Sequence, residues 1–159
     1  MSTTTTTATT PVPLVMQLIV DGESASTLNW PKGPWMAQSA HASIAAIQIS
    51  SSSPSTIEYI SPANLPTMHK VVLQTASTGK SKMTLHELSA KLTAVREAYE
   101  ESLKDEGKGD KEGDAEEEFP KHFLWVEQPE NVATCLAIAP NRKPAALKKL
   151  LRSCTLLKD

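Results

Sequence analysis

Leu14-Val15-Met16-Gln17-Leu18-Ile19-Val20, the run LVMQLIV, is the stretch on which the fold turns. It is short, rich in β-branched residues and apolar on both parities except at Gln17. A strand wetted on one face alternates apolar with polar. A run like this one reads as a strand buried on both faces.

Working outward, residues 21–31 read as loop, and Pro34 suits the first position of a helix, where its missing N–H costs nothing. The helix is expected from Trp35 to about Ile49, ending in the serines before Pro54. At 100° per residue, Met36, Ala40, Ile44 and Ile47 form its apolar stripe, the expected core side. Gln38, His41 and Ala45 fall on another face, lined by small residues and suited to a groove. Residues 56–60 read as a short helical turn, and Lys70 to Gln74 as a second strand. Thr84 with Glu87 makes a capping box. The helix it opens carries Leu85, Leu88, Leu92 and Val95 on one side and runs to about Leu103. Phe123 to Val126 and Val132 to Ala139 read as third and fourth strands. Pro144 opens a last helix that turns Leu147, Leu150 and Leu151 inward.

The order β-α-β-α-β-β-α predicts an α/β fold: a three-layer sandwich with a mixed four-stranded sheet and helices on both faces. Strands separated by helices pair parallel, and the adjacent third and fourth pair antiparallel. Residues 1–13 are Thr-rich and read as a disordered tail, with one domain over 14–159. That domain is interrupted by an acidic insertion at 104–118, expected to be disordered.

The 159 residues and 40% apolar content suit one domain with an aliphatic core. No run reaches the roughly 20 apolar residues of a membrane helix. The start of the chain lacks the basic and apolar segments of a secretory signal, so a cytoplasmic protein is expected. Cys135 and Cys154 are too few for a disulfide scaffold and read as thiols. The net charge of −2 conceals a split: residues 100–118 hold 10 acidic and 3 basic groups, and the rest of the chain 8 acidic and 13 basic. A basic body suits a polyanionic partner. Arg142, Lys143, Lys148, Lys149 and Arg152 near the C-terminus are a solvated helix face or phosphate contacts.

Several motifs fail. Ser77-Thr78-Gly79-Lys80-Ser81 sits between a strand and a helix, as a phosphate-cradling loop does, but the required first glycine falls on Gln74. It reads as a turn leading into the helix. His41, His69, His86 and His122 are widely spaced and no cysteine pair has ligand spacing, so no metal and no cofactor are expected.

Three segments together carry a resemblance. Residues 30–42, WPKGPWMAQSAHA, contain Gly-x-x-x-Ala-Gln-x-x-His-Ala; residues 69–73 read HKVVL, followed by TLHEL at 84–88; residues 122–140 read HFLWVEQPENVATCLAIAP. In this order they resemble the type 2 peptidyl-tRNA hydrolases, most of all the divergent eukaryotic branch of peptidyl-tRNA hydrolase domain-containing proteins. The resemblance covers residues 14–158 apart from the acidic insertion. It implies metal-free hydrolysis of the ester between a peptide and the terminal ribose of tRNA, with the tRNA acceptor end as partner and no membrane; a homodimer is left open.

Carried over by position, the resemblance implies that His41 and a carboxylate position water while Gln38 and Thr134 orient the ester. Glu127 or Gln128 matches the family's Asp, depending on where the gap is placed. Lys32 and Lys70 would meet phosphate or developing charge, and Asn131 the substrate. The family's Lys after the glycine is Pro34 here, with Lys32 two residues earlier, and a second family threonine has no counterpart. That change supports an alternative: a catalytically impaired homologue that binds tRNA or a protein through the same face. Trp30, Trp35 and Trp125 read as packing anchors, or as a platform for a terminal base.

Overall fold

A computed structural model describes residues 10–106 and 117–158. The expected disorder of the tail falls mostly, and that of the insertion largely, on residues outside these. Where the two expectations meet described residues, the chain is held. Arg142 Nε donates to the Val12 carbonyl, residues 104–106 continue a helix, and the Glu118 carboxylate accepts from Ser53 and Arg96.

The architecture is α/β around one mixed sheet. Strand β1 (Met16–Val20) is followed by helix α1 (Gly22–Thr27), α2 (Lys32–Ile49), α3 (Pro54–Tyr59) and a 3-10 turn at Leu65–Thr67. Then come β2 (Lys70–Gln74), α4 (Leu85–Glu106), β3 (His122–Glu127), β4 (Val132–Ile138), α5 (Ala145–Leu150) and β5 (Thr155–Leu156). The sheet order is β3-β4-β1-β2-β5. β1 pairs parallel with β2, Met16 opposite Lys70 and Val20 opposite Gln74. β4 runs antiparallel to both β1 and β3.

Among the described residues the sheet therefore has five strands rather than the four expected. β5 is two residues long, too short for any hydrophobic period to mark it. It forms because the chain leaving α5 is carried back beside β2, where Leu157 N–H also bonds the Val72 carbonyl. Helix α1 is a further addition. Asp21 caps it by accepting from the N–H groups of Glu23 and Ser24, so the loop expected at 21–31 is half helix.

All five residues of β1 are buried, as expected of the central strand. Met16, Leu18 and Val20 pack with Ala42, Ala46, Cys135 and Ala137. Ile19 packs with Leu85, Leu88, Leu92, Leu136, Ile138 and Leu147. Alternate side chains of one strand thus serve α2 and the α4–α5 pair. The polar Gln17 is buried without loss, because its amide exchanges two hydrogen bonds with that of Asn141, at 3.3 and 2.7 Å. The capping box forms as read: Thr84 N–H donates to Glu87 at 2.7 Å and Glu87 N–H to Thr84 at 3.1 Å. Cys135 and Cys154 are free thiols. Burial pushes the Cys135 thiol up to about 12, as suits a core residue.

Helix α2 overturns one expectation. Three residues of its expected apolar stripe face outward, Ala40 with Met36 at 71% and Ile44 at 70% exposure, and only Ile47 packs against the core. The buried positions are Gln38, Ala42 and Ala46. The sheet already supplies bulk through Met16, Leu18, Phe123 and Trp125. At interior packing density the most deeply buried apolar positions of the helix hold the small Ala42 and Ala46, while Trp35 and Ile47 pack against the cluster only partly buried. The helix also starts at Lys32, three residues early, with Pro34 in its first turn rather than at its first position. The first four N–H groups of a helix have no internal partner, so proline is tolerated throughout that turn.

The junction of α1 with the chain after β2 is close-packed. Gly22 N–H donates to Thr75 Oγ1 at 3.1 Å. A Cβ at Gly22 would lie 2.2 Å from the Thr75 carbonyl oxygen. Gly22→Ala should therefore lower the unfolding free energy by about 1–3 kcal/mol, the usual cost of overpacking. Urea denaturation checks this; an unchanged midpoint would show that the junction yields freely.

Candidate active site

The site is built from α2 and from the paired strands β3 and β4 beneath it. On an extended strand residues two apart share a face, so Phe123, Trp125 and Glu127 point together. Phe123 and Trp125 pack in the cluster that contains Ala42 and Ala46, which places Glu127 on the α2 side. There the Trp125 indole N–H donates to Glu127 Oε2 at 2.8 Å. The face of the same indole meets the His41 imidazole, ring centroids 4.6 Å apart and planes 22° from parallel. One side chain therefore touches both an imidazole from the helix and a carboxylate from the strand end.

The second half of the site depends on an irregularity in β4. Trp125 opposes Cys135 and Val126 opposes Ala133, so Thr134 has no partner on β3 and is the extra residue of a bulge. Regular alternation would turn Thr134 toward α4, like Leu136 and Ile138. The bulge instead turns it to α2. Its hydroxyl, fully buried, donates to Gln38 Oε1 at 2.9 Å. Gln38 is itself only 5% exposed. Among the described residues no buried side-chain nitrogen or oxygen lacks a partner. The Gln38 amide nitrogen makes no bond to a described residue, so it reaches the surface with its N–H donors free.

His41, Glu127, Gln38 and Thr134 are thus brought to one face, where α2 crosses β3 and β4. Lys32, exposed, starts α2 before Gln38. Asn131 lies in the β3–β4 turn with a positive φ of 55° and accepts from Gln128 at 3.3 Å. Gln128 is thereby turned to the turn itself, and Glu127 is the side chain aimed at the face.

Lys70 does not join them. It sits opposite Met16 at the amino end of β1, whereas Cys135 sits opposite Val20 at the carboxyl end. Four residues of strand separate the two levels, about 13 Å at ~3.3 Å per residue. The Lys70 ammonium instead donates to the Tyr59 hydroxyl at 3.2 Å, and burial lowers its pKa.

The sequence reading named His41, Gln38 and Glu127 or Gln128 as candidates and read Trp125 as a packing anchor or a platform for a base. Trp125 does pack against the core, but its link between His41 and Glu127 was missed. The signal that was present is the Trp-x-Glu spacing on a strand, which puts both side chains on one face. Among the described residues no group of three His, Cys, Asp or Glu side chains is placed to hold a metal ion. No helix among them is long and apolar enough to cross a membrane.

Comparison with known sequences gives a consistent result. The family described as "Peptidyl-tRNA hydrolase PTH2" matches residues 14–157. A mouse (Mus musculus) protein named "Putative peptidyl-tRNA hydrolase PTRHD1" is 32% identical over 131 residues, 82% of this chain and 73% of that protein. Its human (Homo sapiens) namesake is 31% identical over 134 residues, 84% of this chain and 75% of that one.

The Thr134–Gln38 bond yields a direct test. Thr134→Val keeps the shape and leaves the Gln38 oxygen buried and unpaired. The substitution should cost about 1–3 kcal/mol of stability, read as a lower urea midpoint at unchanged slope. No loss would mean that the bulge, and not the bond, holds the amide.

Proposed function

The chain belongs to the peptidyl-tRNA hydrolase PTH2 family, and from that premise we propose that it hydrolyses the ester joining a peptide to the terminal ribose of tRNA. The observation that carries this reading is the contact of Trp125 with both His41 and Glu127, on the face that also holds the Gln38 amide.

Ester hydrolysis makes three demands. Water must lose a proton as it attacks, the carbonyl oxygen must be stabilised as it becomes an oxyanion, and the departing ribose oxygen must gain a proton. Glu127 serves the first. The indole N–H occupies Oε2, which leaves Oε1 to accept from water. The Gln38 amide N–H group serves the second, held in place by the Thr134 hydroxyl; Thr134 is therefore a positioning residue. His41 serves the third as a relay: one ring nitrogen accepts the proton that Glu127 took from water while the other gives its own to the ribose oxygen, so neither group is left with a surplus or a deficit. Stacking on the indole fixes its ring plane. Lys32, at the exposed start of α2, meets the charge near the ester, as a residue in place of the lysine that family members carry where this chain has Pro34. Asn131, in the turn beside Glu127, contacts the substrate.

Pro34 supports a second reading, in which the fold binds tRNA or a protein partner without turnover. It puts no cation at the family's lysine position, and loss of one donor to an oxyanion costs about 3–4 kcal/mol of transition-state stabilisation.

Purified protein with a defined peptidyl-tRNA separates the two. Turnover that falls by about 10²–10⁴-fold in His41→Ala and in Glu127→Ala is expected for the loss of an acid or base. Trp125→Phe should keep the stacking and lower kcat more than it raises KM, since only the donor to Glu127 is removed. Binding with no turnover by the wild-type protein would establish the second reading.

A further inference from the structure

We propose that a second site, a cleft between the turn at residues 79–83 and helices α4 and α5, grips the sugar–phosphate backbone of the tRNA. The proposal rests on the reading of a tRNA substrate and assigns the place where the body of that RNA is held. The cleft has a volume of about 670 Å³. Its walls carry Lys80, Lys82, Lys91, Lys149 and Arg152, all exposed, and its floor is apolar. Among the described residues that line it none is acidic and none aromatic. Two carboxylates stand at the rim. Glu23 pairs with Lys82 at 3.1 Å, and Glu87 is committed to capping Thr84. Five cations against two engaged acids leave a net positive cleft.

The turn that brings Lys80 and Ser81 here is the Ser-Thr-Gly-Lys-Ser segment that fails as a nucleotide loop. Its Gly79 has φ of 76°, a left-handed conformation that favours glycine, and Lys82 N–H closes the turn on the Gly79 carbonyl at 3.2 Å. Both ends of the segment are tied: Thr75 N–H to the Val20 carbonyl, Thr75 Oγ1 to Gly22, and Met83 N–H to the Ala76 carbonyl. Lys91 is drawn in by a contact to Met83 Sδ at 3.7 Å. The cations are thus carried on anchored backbone.

The chemistry points to a backbone rather than a nucleotide. A site for a free nucleotide or for splayed bases needs a ring to stack on, and this lining has none. Clustered Lys and Arg with serine hydroxyls read phosphates without regard to sequence, which suits a protein that must accept many tRNAs. The position also suits it. Val20, Gln74 and Cys135 share one level of the sheet, so the 79–83 turn lies at the same end as Trp125 and Thr134. Three strand spacings of ~4.8 Å, about 14 Å, separate β3 from β2. One RNA can reach both sites from that end.

The test uses deacylated tRNA, so that binding is read without chemistry. Wild-type protein and the triple variant Lys80→Glu/Lys149→Glu/Arg152→Glu are titrated by fluorescence anisotropy from 50 to 200 mM salt. We expect the variant to bind at least tenfold more weakly, with a log–log salt slope shallower by about 2–3. Lys104→Glu, a single charge reversal far along α4, should retain wild-type affinity. Equal affinity and slope in the triple variant overturn the proposal, as does loss of inorganic phosphate binding in that variant while tRNA affinity persists. Tight, cleft-dependent tRNA binding by a wild-type protein with no esterase activity would leave the cleft standing and remove the hydrolase reading. Intact hydrolysis with unchanged tRNA affinity in the triple variant would do the reverse.

Discussion

The close approach of α2 to the sheet is the constraint on which the rest of the molecule depends. Ala42 and Ala46, both without exposed surface, let the helix settle onto side chains of β1, β3 and β4. A larger residue at either position would lift the helix, and the Gln38 amide and His41 ring would rise with it. The bond of 2.9 Å to Thr134 and the stacking at 4.6 Å on Trp125 exist only because the gap is that small. Packing density here sets the geometry of the polar groups, and the polar groups add direction to a contact that is otherwise non-directional.

The bulge in β4 is the second determinant. It gives Thr134 and Cys135 a common face, so a hydroxyl appears beneath the helix where regular pleating would place it on the opposite side. The site and the basic cleft both stand at the carboxyl ends of the parallel strands β1 and β2, the end at which open α/β sheets generally bind ligands. They differ in kind. One is a small set of buried and stacked groups with fixed partners, suited to orienting a single bond. The other is a row of exposed cations on an anchored turn, suited to a long charged polymer.

Much of the fold was legible because strong local signals agreed with one another. LVMQLIV read as a strand buried on both faces, and it is one, while Thr84 with Glu87 marked the start of α4 to the residue. The leucines at 85, 88 and 92 all entered the core as their spacing required. What failed had a common origin. The outward face of α2 was misread because hydrophobic periodicity measures bulk, and the sheet had already supplied it. Strand β5 carries no period at all. Lys70 matches a family pattern in sequence, yet strand register sends it to the far end of the sheet.

His41, Gln38, Glu127 and Thr134 were identifiable as residue types at positions in a chain, and so was the basic surplus left when the acidic segment is set aside. The resemblance carried by three segments singled out the four residues, and counting charge gave the surplus; neither requires a distance between segments. That Trp125 links the imidazole to the carboxylate, that a bulge turns Thr134 beneath Gln38, and that cations from residues 80 to 152 converge on one cleft were decided by tertiary structure alone. These relations join segments tens of residues apart, and only the pairing of strands and the depth of helix packing fix the distance between them.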